Sequence, residues 1–362
     1  MDLGCGLRAA RRSYPARDLQ RHTRARARDA PEVRRGRARA DPRASRSPPR
    51  ALAGCGRSQR VACTAVRAAD LYGDAVLARV TRQARRGARV VVSGAAADTG
   101  IATALPSEAA SRLAWHDLEC GGYEADLALW RELAAAQQGQ VLEVGAGAGR
   151  VSLDLARAGH AVTALDHDRA LLSAIESRRG GAVVQAAHAD ARSFSLPGCE
   201  FGLCVVPMHT IQLLRDRDQR GAFLRCARTH LRRGGLLACA ILTRVEPFDC
   251  RDGGVGPAAD SAHVDGLLYS SRPVRVEVRG GEIVIERERR ILGARDGSGS
   301  VGEAEEERMV ELVRQCDEAI LAQLRRAQLE REAQAAGFQV EPARAIARTD
   351  EHVGSTVVML RG

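Results

Sequence analysis

From Val141 onward the chain repeats one pattern: a short apolar run, a glycine or polar turn, then an amphipathic stretch. VLEVG (141–145), AVTALD (161–166), AVVQAA (182–187), FGLCVVP (201–207) and LLACAIL (236–242) have strand length and almost no interior charge. AGAGRVSLDLARAG, HDRALLSAIESR and DRDQRGAFLRCARTHLRRGG lie between them and predict helices, the last ending at Gly234 and Gly235, which suit a left-handed cap. Such alternation predicts an α/β fold, a parallel sheet with helices on both faces. Further on, VRVEVRGGEIVIERER alternates apolar and charged positions around Gly280-Gly281, so an antiparallel hairpin is expected within 264–292. In EAEEERMVELVRQCDEAILAQLRRAQLERE the positions Val310, Val313, Cys316, Ile320 and Leu324 fall near helical spacing, which predicts one long core-packed helix over 303–335. GFQVEPARAIA and STVVMLR supply two final strands and complete a seven-stranded, mostly parallel sheet.

Before about residue 90 this pattern is lost. RRSYPARDLQRHTRARARDAPEVRRGRARADPRASRSPPR offers too little apolar surface to offset the entropy of ordering. The expected division is therefore an Arg/Ala-rich extension, residues 1–105, disordered or spurious, followed by a folded domain over 106–362. Within 70–105, DLYGDAVLARVTRQ suits a helix and ARVVVSG a short strand, with no chemistry visible in either.

Charge sharpens the division. The chain has 362 residues and a formal charge of +10, carried entirely by arginine, since it contains neither lysine nor asparagine. Residues 1–110 hold 23 arginines against nine acids, and the remainder holds 32 against 36, so the folded part is mildly acidic. Three readings compete for the extension: a nucleic-acid-binding arm, a transit peptide, and GC-rich coding sequence read from too early a start. Asp18, Asp29, Glu32 and Asp41 weigh against the transit peptide. Met1 is not followed by the apolar core of a secretory signal, and no apolar run reaches the ~18–20 residues that span a bilayer. Ten scattered cysteines, without C-x-x-C or paired histidines at ligand spacing, imply neither a metal site nor a disulfide framework; a reducing cytoplasm is the simplest compartment.

The candidate chemistry begins at Glu143-Val144-Gly145-Ala146-Gly147-Ala148-Gly149. Glycines after a strand let a ligand approach the backbone, and the following helix start presents free N–H groups. A dinucleotide fingerprint would need a further glycine where Arg150 stands, so the spacing is G-x-G-x-G. The stretch resembles the first motif of class I S-adenosylmethionine-dependent methyltransferases, and other matches follow in order over roughly 115–362. The resemblance implies a Rossmann-like sheet, S-adenosyl-L-methionine as cofactor, and the hairpin as a lid. It implies backbone contacts at Gly145, Ala146, Gly147 and Gly149. Asp166, 17 residues after Gly149, would hold the ribose hydroxyls, and His167 would pack on adenine. Asp190 or Ala191 would read the adenine edge, and LRRGG, with Arg233 in the usual proline place, would match a later strand motif. Glu143 would meet the amino group, while Arg150 either anchors the methionine carboxylate or lies on the helix surface. Tyr123 either closes over the cofactor or is an ordinary packed aromatic.

The acceptor is narrowed by what is missing. Without asparagine there is no N-P-P-Y, and no D-P-P-Y, Lys-Asp-Lys-Glu tetrad or Pro-Cys pair occurs either. These absences argue against nucleic-acid acceptors and for a small molecule, with no membrane partner. The alternatives are a nucleic-acid-directed methyltransferase using the arginine arm, a nucleotide-dependent oxidoreductase, and a degenerate fold without turnover. Pro207-Met208-His209-Thr210 ends the fourth strand at the edge where α/β sheets bind ligands. His209 is the candidate catalytic base or acceptor-orienting group, Pro207 a neighbour of the cofactor; the plainer reading of His209 is a helix cap or an adenine contact. His352 either reaches the site from the terminal hairpin or is a turn residue.

Overall fold

The computed structural model describes the backbone of Val90–Val92 and residues 105–294, 309–349 and 352–362. The extension before residue 90 and the helix expected at 70–83 lie outside the described residues. Strands β1 (Val90–Val92), β2 (Gln140–Val144), β3 (Val162–Asp166), β4 (Val184–His188), β5 (Phe201–Val206), β6 (Leu231–Ile241), β7 (Phe248–Asp249), β8 (Asp260–Val264), β9 (Leu267–Arg279), β10 (Glu282–Ala294), β11 (Met309–Ala322), β12 (Gln339–Ile346) and β13 (Ser355–Arg361) form two sheets. The helices are α1 (Glu108–His116), continuing into a π-helical turn (Asp117–Gly121), then α2 (Leu127–Ala136), α3 (Arg150–Arg157), α4 (Arg169–Arg178), α5 (Arg217–His230) and α6 (Arg326–Ala335). Among them no helix is long and apolar enough to cross a membrane.

The first sheet has the order β12-β13-β6-β5-β2-β3-β4. Strands β2 to β6 run parallel, with β13 and β12 antiparallel at one edge. Burial on both faces explains the continuous apolar runs: all six residues of β5 are buried. Alternation along β2 sends Val141 into the cluster with Trp130 and Leu155, and Leu142 and Val144 into the one with Phe223 and Leu329. Glu143 therefore points to the α3 side. The helix expected to run to Gly235 stops at His230, because Gly234 and Gly235 are drawn into the sheet by hydrogen bonds with Gly362 of 2.9 and 2.8 Å.

The expected hairpin is the centre of a larger sheet, ordered β1-β11-β10-β9-β7 with β8 also on β9. Gly280 and Gly281 have φ of 58° and 82°, the left-handed pair that a two-residue hairpin turn requires. The long helix expected over 303–335 is not what forms. Residues 309–322 are strand β11, paired from Met309↔Ala294 to Ala322↔Glu282, and among the described residues of this stretch only Arg326–Ala335 is helical. Val310 and Leu312 are buried at a spacing of two, and thirteen residue pairs with β10 outweigh the helical preference of VELVRQCDEAILA.

Gln212, in the 3₁₀ turn Thr210–Leu213, joins the two sheets. Its Nε2 donates to Ala322 O at 2.7 Å, and Leu242 N donates to its Oε1 at 2.6 Å. Strand β1 pairs with Val313–Gln315 although it precedes the domain boundary expected at 105. A chain shortened to begin at residue 105 uncovers that edge and is expected to aggregate on heating sooner than one beginning at residue 88. Size-exclusion chromatography after graded heating checks this.

Candidate functional site

The glycine turn is stitched to the end of β3. Gly145 N and Ala146 N both donate to Leu165 O, at 2.9 and 3.0 Å, and Gly147 N donates to Asp166 Oδ2 at 2.8 Å. Gly145 and Gly147 have φ of 77° and 54°, and each has a side chain where a Cβ would stand. A Cβ on Gly145 would lie 2.3 Å from Thr210 Cγ2, and one on Gly147 2.1 Å from His116 Nε2. The turn is thus a cradle with backbone at its floor, and Gly149 leads into the first turn of α3.

Asp166 sits in the turn's wall, 7% exposed, its Oδ1 accepting from Asp168 N at 2.8 Å. Burial works against its charge, but His167 Nδ1 at 3.3 Å and the amides of Asp168 and Gly147 hold the carboxyl below its ordinary range. His167 stands at the surface, free to lie along a planar ligand, and its imidazole is held above its ordinary value, first by Asp166. Asp190 follows β4 and is turned onto Arg192, whose side chain drives it down to about 2. Ala191 is partly buried behind it.

Glu143, 3% exposed, accepts a short hydrogen bond from Ser152 Oγ of α3. Burial pushes it up to about 7, against the opposing effects of Ser152 and Arg150. Between pH 4.5, the ordinary glutamate value, and about 7, the folded state therefore holds a proton that the unfolded chain releases, and stability falls as pH rises through that window. Glu143→Gln is expected to remove this slope and, without ligand, to melt several degrees above the parent at pH 8 while matching it near pH 4.5; thermal denaturation at both pH values checks this.

Arg150 is neither a surface residue nor free. Its Nη1 and Nη2 donate to Asp126 at 2.6 and 2.8 Å, Nη1 also donates to Tyr123 O, and the guanidinium lies 5.2 Å from the Tyr123 ring centroid. Asp126 also accepts from Trp130 Nε1 at 2.8 Å, and Tyr123 meets His352 edge-on at 4.8 Å. Tyr123 and His352, separated by most of the domain in sequence, are thus brought together.

Met208 and His209 follow β5 with φ of 47° and 65°. Two consecutive non-glycine residues there store roughly 1–3 kcal/mol each, a form of strain that concentrates at functional sites. Pro207 is buried and its carbonyl anchors the bend by accepting from Thr210 N at 3.1 Å and Thr210 Oγ1 at 2.9 Å. His209 Nε2 shares a 2.8 Å hydrogen bond with Ser355 Oγ, and burial drives the imidazole down to about 4. His116, Asp126, Ser152, Thr210 and Ser355 thus join the site without having been singled out in sequence. Only Asp126 and Trp130, four apart on one helical face, carried a local signal.

This arrangement fits S-adenosylmethionine: a glycine cradle that a Cβ would fill, a strand-end carboxylate on one flank, and a buried glutamate beside the helix start. Next to the turn, along α3, lies an open cavity of about 630 Å³ whose lining includes His116, Asp117, Tyr123, Gly149, Arg150 and Asp154. Residues 141–235 match the methyltransferase domain family. No curated protein matches the chain significantly. Among solved structures it is similar to an amino pentose methyltransferase of Micromonospora echinaspora, involved in calicheamicin biosynthesis and solved with S-adenosylmethionine bound. Identity is 20%, coverage 72% of this chain and 99% of that one, and the TM-score 0.50. It is also similar to a sugar N-methyltransferase of a Streptoalloteichus species (17% identity, 73% and 98% coverage, TM-score 0.48). The domain match and the cradle agree: residues 141–235 carry a methyltransferase domain, and the chain has a Rossmann-like fold.

Proposed function

We propose that the chain methylates a small molecule in the cytoplasm, with His209 orienting the acceptor. The observation that carries this reading is the strained Met208–His209 bend, which holds an uncharged imidazole at the C-terminal edge of β5, the strand beside the glycine cradle. When bound, S-adenosylmethionine supplies an electrophilic methyl that passes in line to a lone pair, a step in which alignment contributes ~7–11 kcal/mol. The chain's part is then to align and to exclude water. Asp166 takes the ribose hydroxyls; His167, Asp190 and Ala191 border the base, with Pro207 closing the edge. Glu143 and Arg150 serve the amino-acid end, and Tyr123 covers it. With Nε2–H donating to Ser355, His209 offers the Nδ1 lone pair to an acceptor's N–H or O–H.

The antiparallel sheet would shield the site. It is tied down by Glu119 of the π-helical turn, which accepts from Arg289 at 2.7 and 2.6 Å and from Ser271 at 2.7 Å. A charged face whose arginines are already paired suits a shield better than an anion clamp. The free thiols among the described residues fit a reducing compartment. Because a protein of the same fold acts on an amino pentose, amines on small molecules are the first acceptors to test.

The test is a screen of metabolite extract, RNA and protein fractions with isotopically labelled methyl donor. A labelled small metabolite is expected. Label confined to RNA or protein would overturn the acceptor class.

A further inference from the structure

We infer that Gln212 is a positioning residue: it fastens the Met208–His209 bend to the seam where the antiparallel sheet meets the parallel one, and so fixes the direction of the His209 imidazole. This rests on the reading of His209 as the group that orients the acceptor, and goes beyond it to a residue acting through His209. Gln212 is fully buried, and both ends of its amide are committed. Oε1 accepts from Leu242 N at 2.6 Å, while Nε2 donates to Ala322 O at 2.7 Å and to Leu242 O at 3.3 Å. A buried amide satisfied in this way holds its partners in one arrangement, because moving any of them strands a polar group away from water.

These bonds close a circuit around His209. Gln212 N donates to His209 O at 2.8 Å, so the turn is fastened to the histidine's own backbone. From the amide the circuit passes to Leu242, which follows Ile241 at the end of β6. Ile241 pairs with Thr356 of β13, which puts Ser355 at the next step of that ladder, and Ser355 Oγ meets His209 Nε2 at 2.8 Å. His209 is thus held by its carbonyl on one side and its imidazole on the other, with Gln212 as the link between them. A left-handed backbone at a non-glycine residue, φ 65° at His209, persists only where the surroundings over-determine it. The circuit supplies that constraint.

The remaining bond reaches the antiparallel sheet. Ala322 is the last residue of β11 and pairs with Glu282 at the start of β10. Beside that pair, Leu321 and Ile283 pack with Leu242. Arg215, just after the 3₁₀ turn, donates from Nε to Glu282 Oε1 at 2.8 Å, so the same end of the sheet is also tied at the surface. A shift of that end is carried through Ala322 and Leu242 to the Gln212 amide, and from there to the bend. Seating of the antiparallel sheet and aim of the imidazole are therefore coupled.

Histidine nitrogen NMR on the full chain tests the assignment, with the His209 signal identified by its loss in His209→Ala. In the parent, His209 is expected to show one neutral tautomer, its proton on Nε2 toward Ser355. Gln212→Met, equal in length but without the amide, should show both tautomers in exchange, while S-adenosylhomocysteine affinity by calorimetry stays unchanged. Gln212→Asn, one methylene shorter and able to reach only one side, should move the signal the same way and serves if Gln212→Met does not fold. Gln212→Glu should restore the parent signal, because burial keeps its carboxyl protonated and so leaves one donor and one acceptor. Glu332→Gln, which weakens the buried ion pair between α5 and α6, controls for lost stability and should leave the signal as in the parent. With an acceptor from the metabolite screen, Gln212→Met should lose turnover about tenfold through misalignment. A parent-like single tautomer in Gln212→Met and Gln212→Asn, or the same exchange in Glu332→Gln, would overturn the assignment. Full turnover in His209→Ala would instead remove the acceptor-orienting reading, and the tautomer signal would still decide what Gln212 holds.

Discussion

His209→Ala is expected to lower turnover about a hundredfold, the cost of losing alignment, while leaving S-adenosylhomocysteine affinity nearly intact. The imidazole is fixed by the 2.8 Å bond to Ser355 and by the left-handed backbone beneath it, so its free nitrogen has one direction. Burial holds it down to about 4, so it is uncharged throughout the neutral range. The sequence alone suggests a limb of activity near ~6.5, the ordinary histidine value. The structure moves that limb to about 4, and activity should show no histidine limb between pH 5.5 and 8. A base so weak serves mainly to aim the acceptor's lone pair. The backbone provides a second readout: His209→Gly should be as slow as His209→Ala yet melt higher, because glycine relieves strain of roughly 1 kcal/mol or more. Full turnover in His209→Ala, or loss of cofactor binding before loss of rate, would reassign this residue to the adenine pocket.

Asp166→Ala is expected to weaken cofactor binding tenfold to a hundredfold, through lost charge-assisted hydrogen bonds to the ribose. The structure adds a cost that the strand-end position does not reveal. The same carboxylate accepts from Gly147 N and Asp168 N, so its removal strips two amides of their partner and loosens the glycine turn. The variant should therefore also melt lower, by an amount corresponding to roughly 1–3 kcal/mol. Asp166→Asn keeps one carbonyl oxygen for one of these amides and should recover part of the stability with little of the affinity. Calorimetry and thermal denaturation together separate the two effects. Cofactor affinity unchanged in Asp166→Ala would remove the ribose assignment.

The sequence by itself determined the parallel sheet and the cradle, for local reasons. Strands buried on both faces must read as unbroken apolar runs, as FGLCVVP does, and the conformations at Gly145 and Gly147 are those that only glycine adopts freely. The Gly280-Gly281 turn was legible for the same reason. Tertiary structure alone decided residues 309–322. Their side chains suit a helix by propensity and spacing, and the open edge of β10 makes them a strand, an influence that no window of sequence contains. It also decided Arg150, whose guanidinium is turned to Asp126 from 24 residues away. His116 became part of the site only when α1 was laid over a glycine 31 positions further on, since contact across a fold depends on the packing of whole elements. Strand length, turn type and apolar period are written in neighbouring residues, whereas partners and protonation states belong to the assembled domain: Glu143 titrates near 7 because the folded chain buries it.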